Sequence, residues 1–346
     1  QRQMCIRDRS KTVFFYSSVQ TKKMFSIQSY YRNDILILKD LGYKVALSKK
    51  SFDFLLFWKY DIAFIYFYRY GLIAALFAKL FGKKVLFTGG IDALDKNVAT
   101  PRQRYIQKIL FKLCNLFSDT SILVSQTDQS NVKDIYGGKL PSNCALSFHV
   151  IDFDSFEFKG DFLEKKHYFV TIAWMVSIEN VYRKGVDRAI RIFASIRERI
   201  PDYKFYIVGP SGAGSDYIQS LISELHLEES VIYLGTIQEH NKINLLKESQ
   251  FYIQLSAYEG FGIAAMEALA AGCCVVHSGR GGLRDCMGSF GYKVDIDNED
   301  TISRLILELC RKKTDVEHLK GGIQYVKSNF SYQTRLGSFK QIFRKL

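Results

Sequence analysis

The chain has 346 residues, 47% of them hydrophobic and 24% charged, and carries a formal net charge of +13. This composition is typical of a globular protein of about two domains, and it excludes disordered, collagen-like and coiled-coil proteins. The seven cysteines are scattered, odd in number and contain no CxxC pair. They argue against a disulfide framework or a zinc knuckle and favour a reducing, cytoplasmic setting.

The chain starts with the ten residues QRQMCIRDRS, which have neither strand nor helix patterning and no apolar signal-peptide core. They resemble translated sequencing-adapter read-through more than protein, so we expect residues 1–10 to be a non-native leader. Further on, Arg69 and Lys79 interrupt the apolar stretch 60–82. A membrane-spanning helix needs an uncharged run of about 18 residues, so this stretch predicts a buried strand followed by a helix.

From residue 11 onward, short apolar runs rich in strand formers alternate with amphipathic helical patterns. The predicted strands are 12–16, 44–48, 62–68, 84–88, 121–125, 167–173, 204–208, 231–234, 250–255 and 274–277. The predicted helices are near 26–41, 71–81, 102–117, 186–199, 216–225, 242–248, 263–271 and 332–345. Such alternation predicts an α/β fold with parallel sheets covered on both faces, in two halves that meet near 155–165.

The most informative segment is SAYEGFGIAAMEALAAGCCVV, residues 256–276. In it, Glu267 lies on a predicted helix otherwise composed of apolar and small residues. A carboxylate buried there needs a hydrogen-bond donor, because an unpaired buried charge is costly. A ligand hydroxyl would serve, and a salt bridge or a loop amide is the alternative.

A second carboxylate, Glu259, lies eight residues before Glu267 and directly precedes Gly260, Phe261 and Gly262. The glycines allow a tight loop whose backbone N–H groups can approach a ligand closely. The N-terminus of the following helix adds free N–H groups and a dipole that suit a phosphate. A nucleotide sugar, with hydroxyls on both sides of a diphosphate, matches this layout. An ordinary glycine-rich turn is the alternative.

The two glutamates resemble the E-x7-E signature of retaining GT-B glycosyltransferases, especially glycosyltransferase family 4. The strand–glycine junctions FYIVG and VIYLG, the segment RKGVD at 183–187 and HVIDFDSF at 149–156 resemble other parts of that family. The resemblance covers the chain from residue 11 to its end.

The family's fold would consist of two Rossmann-like domains, each with a parallel sheet, facing a central cleft. The resemblance implies an acceptor-side domain over 11–158 and a nucleotide-sugar-binding domain over 159–331. A C-terminal helix at about 332–346 would pack back on the first domain.

By the same resemblance, Glu267 would bind the ribose hydroxyls of the donor and Glu259 a hydroxyl of its sugar. Lys184 and Arg183 would neutralise the leaving diphosphate, which gains negative charge in the transition state. A solvated pair at a helix start is the alternative for both cations. The family uses these groups in place of a metal ion, so no metal and no cofactor are expected.

Main-chain contacts to the donor are also implied by the resemblance. The backbone of Gly260, Phe261 and Gly262 would meet the sugar and the phosphate. Gly209, which follows a predicted strand, would line the donor side of the cleft or only turn the chain.

The sequence departs from the family pattern in two places. The arginine that commonly precedes the RKG lysine is missing after the strand end AWM at 173–175, and Arg183 is the candidate substitute. The histidine that many members carry after the fourth strand is replaced by TGGID at 88–92. We take Asp92 and Gly90 as acceptor-side candidates, with a helix N-cap as the alternative for Asp92.

Positive charge is concentrated in residues 1–158, which hold 23 Lys and Arg against 13 Asp and Glu. Lys22-Lys23 beside Met24-Phe25, and Lys49-Lys50 ahead of the aromatic run 52–58, suit an anionic lipid surface. Solvated lysines over core aromatic residues are the alternative. No nucleic-acid-binding motif appears, so nucleic acid is not an expected partner.

Together with the residues above, the resemblance implies a metal-independent, retaining hexosyltransferase of cell-surface polysaccharide synthesis. Its expected partners are a nucleotide sugar, a glycan or lipid-linked acceptor, and an anionic membrane surface. We expect it in the cytoplasm or at the inner face of the membrane. One rival is a nucleotide-sugar epimerase of the same architecture, against which the EGFG block argues. The other is a non-catalytic binding protein with a decayed donor site, which the missing arginine and histidine favour slightly.

Overall fold

The computed structural model describes residues 11–96 and 99–346. They divide into two compact units, one made of the residues up to His149 with Gln333–Leu346, the other of Val150–Tyr332. We call them the first and the second unit. The leader expected at residues 1–10 lies outside the described residues.

The boundary between the two units lies between His149 and Val150, nine residues before the boundary expected after residue 158. Backbone hydrogen bonds explain the shift. The N–H of Ile151 donates to the carbonyl of Phe330 at 3.2 Å, and the N–H of Phe158 donates to that of Ala270 at 3.1 Å. The segment HVIDFDSF therefore packs, from Val150 onward, on elements of the second unit.

The first unit contains a six-stranded parallel sheet in the order β2-β1-β3-β4-β5-β6. Its strands are β1 (Thr12–Tyr16), β2 (Lys44–Ser48), β3 (Ile62–Tyr66), β4 (Lys84–Thr88), β5 (Thr120–Leu123) and β6 (Cys144–Leu146). Its helices are α1 (Met24–Ile27), α2 (Ser29–Asp40), α3 (Tyr68–Leu80), α4 (Pro101–Leu116) and α5 (Gln126–Ile135), with 3-10 helices at Ser51–Leu55, Phe57–Lys59 and Asp92–Leu94.

The second unit repeats the architecture, with a parallel sheet in the order β12-β11-β10-β7-β8-β9. Its strands are β7 (Lys166–Ile172), β8 (Lys204–Val208), β9 (Val231–Gly235), β10 (Ser249–Gln254), β11 (Cys274–His277) and β12 (Tyr292–Lys293). Its helices are α6 (Phe153–Phe156), α7 (Ile178–Lys184), α8 (Val186–Ile196), α9 (Ala213–Glu224), α10 (Glu239–Glu248), α11 (Ile263–Ala270), α12 (Leu283–Met287), α13 (Glu299–Arg311) and α14 (Val316–Phe330), with 3-10 helices at Phe162–Glu164 and Arg197–Arg199.

The C-terminal helix (Tyr332–Phe343) packs on the sheet of the first unit. The ring of Phe339 lies 5.9 Å from that of Phe64 on β3, and Arg335 forms an ion pair with Asp34 on α2. Aromatic contacts and a buried charge pair thus fix this helix to residues that are far from it in sequence.

The apolar stretch 60–82 forms β3 and α3, as its two interrupting charges predict. All five residues of β3 are buried, which is typical of a central parallel strand. Phe67 turns the chain between them with a φ of 68°, a strained conformation for a residue other than glycine. Over the described ranges, no helix has both the length and the apolar character needed to cross a membrane.

Candidate functional site

The predicted donor-side residues lie where β10 ends and the chain turns into α11. Beyond Gln254, the last residue of β10, the loop 255–262 carries Glu259, and Gly262 then starts α11. Loops at the carboxyl ends of parallel strands are the usual ligand sites of open α/β sheets. The site is described below from Glu259 outward.

Four hydrogen bonds hold the buried carboxylate of Glu259. Lys184 Nζ donates to its two oxygens at 2.5 and 2.7 Å. Gln254 Nε2 and Ser256 Oγ donate to Oε1 at 2.7 and 2.9 Å. A buried charge needs hydrogen-bond donors and an opposite charge to offset its lost hydration. The carboxylate is therefore fixed in position by a cation, an amide and a hydroxyl.

Tyr252 supports this cluster from within β10. Its hydroxyl donates to Gln254 Oε1 at 2.7 Å, which leaves the amide nitrogen of Gln254 to face Glu259. Burial, with the nearby carboxylates of Glu259 and Glu267, keeps the pKa of Tyr252 well above its usual value. The hydroxyl thus remains a donor at any physiological pH. Sequence reasoning missed Tyr252, Gln254 and Ser256, although polar Gln254 at the end of a buried apolar strand was a usable signal.

The RKG segment ends α7 and faces the loop of Glu259. Gly185 closes the helix with a φ of 65°, and a Cβ there would lie 2.1 Å from the carbonyl oxygen of Leu255. Glycine is therefore required for this close approach. Arg183 accepts a hydrogen bond from the N–H of Ala257 at 2.8 Å through its carbonyl.

Arg183 and Lys184 do not lie at a helix start, and the solvated alternative is wrong for Lys184. Both lie in the last turn of α7, where a cation is favoured by the helix dipole. The side chain of Lys184 is only 14% exposed and is paired with Glu259. The structure brings Lys184 to the site through its side chain and Arg183 through its carbonyl.

The Gly260–Gly262 loop is held against the segment that precedes α12. The N–H of Gly282 donates to the carbonyl of Glu259 at 2.8 Å. Gly262 has a φ of 96°, and a Cβ there would meet the side chain of Leu283 at 2.7 Å. Phe261 is buried, with its ring 5.5 Å from that of Phe330. Any contact of Phe261 with a ligand would therefore use its main chain.

Glu267 lies further along α11, with its side chain only 4% exposed, and forms a salt bridge with Lys242 of α10. Lys242 Nζ donates to Glu267 Oε2 at 2.9 Å and lies 3.1 Å from an oxygen of Glu239. Burial opposes the charge of Lys242, but the two carboxylates outweigh it and raise its pKa. The salt bridge named as an alternative for Glu267 is present, and sequence reasoning missed Lys242.

Gly209 lies at the same edge of the sheet, directly after β8. Its N–H donates to the carbonyl of Gly235 at 3.0 Å, and its carbonyl accepts from Tyr233 Oη at 2.9 Å. A Cβ at this position would lie 2.1 Å from the carbonyl oxygen of Ala173. A glycine is therefore needed at position 209, because the chain after β8 passes too close to the end of β7 for a side chain.

The acceptor-side candidates Gly90 and Asp92 lie in the first unit, after β4. Asp92 is the first residue of a short 3-10 helix. The helix that follows, α4, is capped by Thr100, whose side chain accepts from the N–H of Gln103. Burial, together with Asp92, keeps the pKa of Asp128 well above its usual value. Asp128, at the start of α5, is thus a second acidic residue that sequence reasoning missed here.

Lys184 contacts Glu259 directly, and Arg183 contacts Ala257 of the same loop through its carbonyl. Glu267 lies in the second turn of the helix that this loop starts. Asp92 and Gly90 belong to the other unit. In the described ranges, no group of three or more His, Cys, Asp or Glu side chains could hold a metal ion.

Comparisons with known proteins place this site in context. Residues 158–325 match the family model described as glycosyl transferases group 1. The chain is 27% identical over 254 residues to the N-acetylgalactosamine-N,N'-diacetylbacillosaminyl-diphospho-undecaprenol 4-alpha-N-acetylgalactosaminyltransferase of Campylobacter jejuni. The match covers 70% of this chain and 65% of that protein. The chain thus spans slightly less than two thirds of this relative's length.

Two solved structures resemble the whole chain. HepE of Anabaena, in complex with UDP and glucose, has a TM-score of 0.75 at 16% identity, covering 97% of this chain and 100% of that one. Sucrose-phosphate synthase of Thermosynechococcus elongatus has a TM-score of 0.77 at 17% identity, covering 97% and 99%. Likeness at this level of identity concerns the fold. It confirms the predicted architecture of two Rossmann-like units with parallel sheets.

Proposed function

Because this chain belongs to the glycosyl transferases group 1 over residues 158–325 and has the GT-B fold, we propose that it transfers a hexosyl unit from a nucleotide-diphosphate sugar. The proposed acceptor is a glycan or a lipid-linked sugar of cell-surface polysaccharide synthesis. The Campylobacter relative is named for a diphospho-undecaprenol-linked acceptor, which supports the lipid-linked choice. The proposed location is the cytoplasmic face of the membrane.

The observation that carries the proposal is the contact between Lys184 and Glu259 at the carboxyl edge of the second sheet. An ammonium group has three N–H donors, and two of those of Lys184 are directed at Glu259. The third suits an oxygen of the donor diphosphate. As the glycosidic bond breaks, charge develops on that diphosphate, and a preorganised cation stabilises it without a metal ion.

Glu259 and Glu267 would recognise the two ends of the donor. The carboxylate of Glu259 is held still by Gln254 and Ser256, so it can accept a hydrogen bond from a sugar hydroxyl at little cost in ordering. Lys242 holds Glu267 in the same way for the ribose hydroxyls. Loop N–H groups at the start of α11 would meet the phosphates.

We further propose that the anomeric configuration is retained. The acceptor hydroxyl attacks the anomeric carbon on the same face from which the diphosphate departs. The bond to the diphosphate breaks as the new glycosidic bond forms, and an oxygen of the leaving phosphate takes the hydroxyl proton. Glu259 is a poor base for this step, because its carboxylate is engaged by the Lys184 ammonium. The leaving group thus supplies the base.

Calorimetric titration tests the proposal, with UDP first and with GDP and ADP as alternatives. We expect one of them to bind, and Glu267→Ala to weaken that binding. Absence of binding at millimolar concentrations of all three would overturn the proposal. With a donor identified, NMR of the product reports the anomeric configuration, and transfer in the presence of EDTA tests metal independence.

A further inference from the structure

Three neighbouring elements of the first unit carry large apolar side chains on their outer faces. They are α3, α4 and the pair of 3-10 helices over residues 51–59, and α3 packs against both of the others. We call their exposed apolar residues the apolar band. Its members are Phe52, Leu55, Phe57, Trp58, Tyr70, Ile73, Leu76, Leu80, Tyr105, Ile106, Ile109, Leu113 and Leu116, each between 39% and 74% exposed.

The band on α3 follows from the spacing of its side chains. Tyr70, Ile73 and Leu80 recur at helical intervals and face away from the core. The opposite side of α3 is made of small residues, and a Cβ on Gly71 would lie 2.4 Å from the side chain of Ile65 on β3. The small face therefore packs on the sheet and leaves the large residues outside.

The same arrangement recurs on α4. Ile106, Ile109, Leu113 and Leu116 follow a helical spacing on its exposed side. Phe111 on the inner side lies with its ring 4.7 Å from that of Tyr68, so α4 is attached to α3 by a separate face. Soluble monomers rarely expose apolar patches of this extent unless something covers them.

Aromatic contacts attach the 3-10 helices to the same surface. The ring of Phe52 lies 5.8 Å from that of Phe77 on α3. Phe57 stacks on Phe81, directly after α3, at 4.3 Å. The 3-10 helices are thus attached to α3 and to the residue that follows it by aromatic side chains.

Charge identifies what covers the band. α3 and α4 contain no Asp or Glu but six Lys or Arg. Two of these are paired, Lys79 with Asp119 and Arg104 with Asp134. The other four are Arg69, Arg102, Lys108 and Lys112. Cations around an apolar surface match an anionic bilayer, whereas the same face of a second copy would oppose like charges.

We propose that the apolar band is the surface by which the first unit docks on an anionic lipid bilayer. Its aromatic and aliphatic side chains enter the boundary between headgroups and acyl chains, and the surrounding lysines and arginines contact lipid phosphates. The inference deepens the proposed function and rests on it for the lipid-linked acceptor, which such docking would bring within reach.

This surface differs in part from the one that the sequence indicated. Phe25, beside Lys22-Lys23, is buried and packs edge-on against Phe15, so that segment offers no aromatic anchor. The run after Lys49-Lys50 does contribute, through Phe52 and Trp58, at 67% and 61% exposure.

Vesicle co-sedimentation at low salt tests the inference, with phosphatidylcholine alone and with phosphatidylglycerol mixed into it. We expect the wild-type chain to bind only the anionic vesicles. The double variant Leu80→Gln/Leu116→Gln should bind them at least about tenfold more weakly. Lys108→Gln and Lys112→Gln should each lower the affinity for anionic vesicles about fivefold. Leu163→Gln, at a leucine of the second unit that is 64% exposed, is the control and should bind as wild type.

The inference is overturned if the wild-type chain ignores anionic vesicles, or if the double leucine variant binds them normally. A dimer in sedimentation equilibrium that the double variant abolishes, without vesicle binding, would identify a second copy as the occupant. Titration of the same proteins with UDP separates this test from that of the proposed function. If the chain binds vesicles but no nucleotide, the proposed docking surface is supported and the proposed transferase function is overturned.

Discussion

The Asp34–Arg335 pair of the first unit and the Lys184–Glu259 pair of the second are both buried, but they differ in how they are enclosed. In the first unit, Nε and Nη2 of Arg335 donate to the two oxygens of Asp34 at 2.6 and 2.8 Å, and neither side chain is exposed. In the second, Lys184 meets both oxygens of Glu259, and 14% and 9% of the two side chains remain exposed.

The other hydrogen-bond partners of the two pairs indicate their roles. Nη1 of Arg335 donates to the carbonyls of Ser147 and Phe148 at 2.6 and 2.7 Å, and Tyr66 Oη donates to Asp34. That pair is closed on all sides and attaches the C-terminal helix to the first unit. The lysine pair lies at a sheet edge that a ligand can approach. Planar, bidentate arginine suits a permanent contact, and a lysine with rotatable donors suits an exchangeable one.

The largest effect is expected from breaking the closed pair. Arg335→Met leaves Asp34 buried without its cation and should cost roughly 3–5 kcal/mol of unfolding free energy. Urea denaturation measures it. The double variant Asp34→Leu/Arg335→Met should recover much of the loss, because no uncompensated charge remains. An unchanged denaturation curve for the single variant would show that this pair does not hold the C-terminal helix.

Breaking the Lys184–Glu259 pair should instead lower the rate of sugar transfer. Lys184→Ala should lower kcat for sugar transfer by roughly 100- to 1000-fold, the size seen when one preorganised transition-state donor is lost. The fold should persist, because Gln254 and Ser256 still donate to Glu259. The distinction between a structural and a functional ion pair is wrong if Lys184→Ala loses as much unfolding free energy as Arg335→Met and its folded molecules keep the wild-type kcat.

Acid should weaken the second unit through His277, at the end of β11. Burial lowers the pKa of His277 to about 4, and the N–H of Gly279 donates to its Nδ1 at 3.1 Å. The unfolded chain therefore takes up the proton first. Stability should be full above the usual histidine pKa of 6.5 and fall by about 3 kcal/mol as the pH drops towards 4.

The variant His277→Asn tests this assignment, because its amide oxygen can replace Nδ1 as the acceptor but does not titrate. Its unfolding free energy should change less between pH 7 and pH 4.5 than that of the wild-type chain. The same pH dependence in both proteins would assign the acid sensitivity to another group.

The smallest effect is expected at Glu267. Glu267→Gln keeps the shape of the side chain but removes its charge, and it should weaken nucleotide binding about tenfold, the value of one charge-assisted hydrogen bond. Glu239→Gln is the matched control, because Glu239 also contacts Lys242 but is half exposed. Equal affinities for the two variants, measured by calorimetry, would leave Glu267 as a structural partner of Lys242.

Much of the fold could be predicted because its signals are local. β1, β2, β4, β8 and β11 have the predicted bounds, since buried parallel strands are short apolar runs between turn residues. α5 was missed because QTDQSNVKDI is mostly polar. β6 was missed because three residues leave too short a pattern.

The site was predictable only in part. Glu259 and Glu267 stand out by their spacing and their apolar surroundings, and Lys184 by its glycine. Their partners Gln254, Ser256 and Lys242 look ordinary in sequence. Lys242 is 25 residues from Glu267, and their contact depends on α10 packing beside α11.

The sequence by itself determined two α/β halves, the pair of glutamates around a glycine loop, and an excess of positive charge in the first half. The tertiary structure alone decided the pairing of Lys184 with Glu259, 75 residues apart, and of Asp34 with Arg335, 301 apart. It also decided which apolar residues of α3 and α4 remain outside. Local patterns follow from neighbouring side chains, whereas distant contacts and exposure follow from how the elements pack, because apolar residues also occupy much of any protein surface.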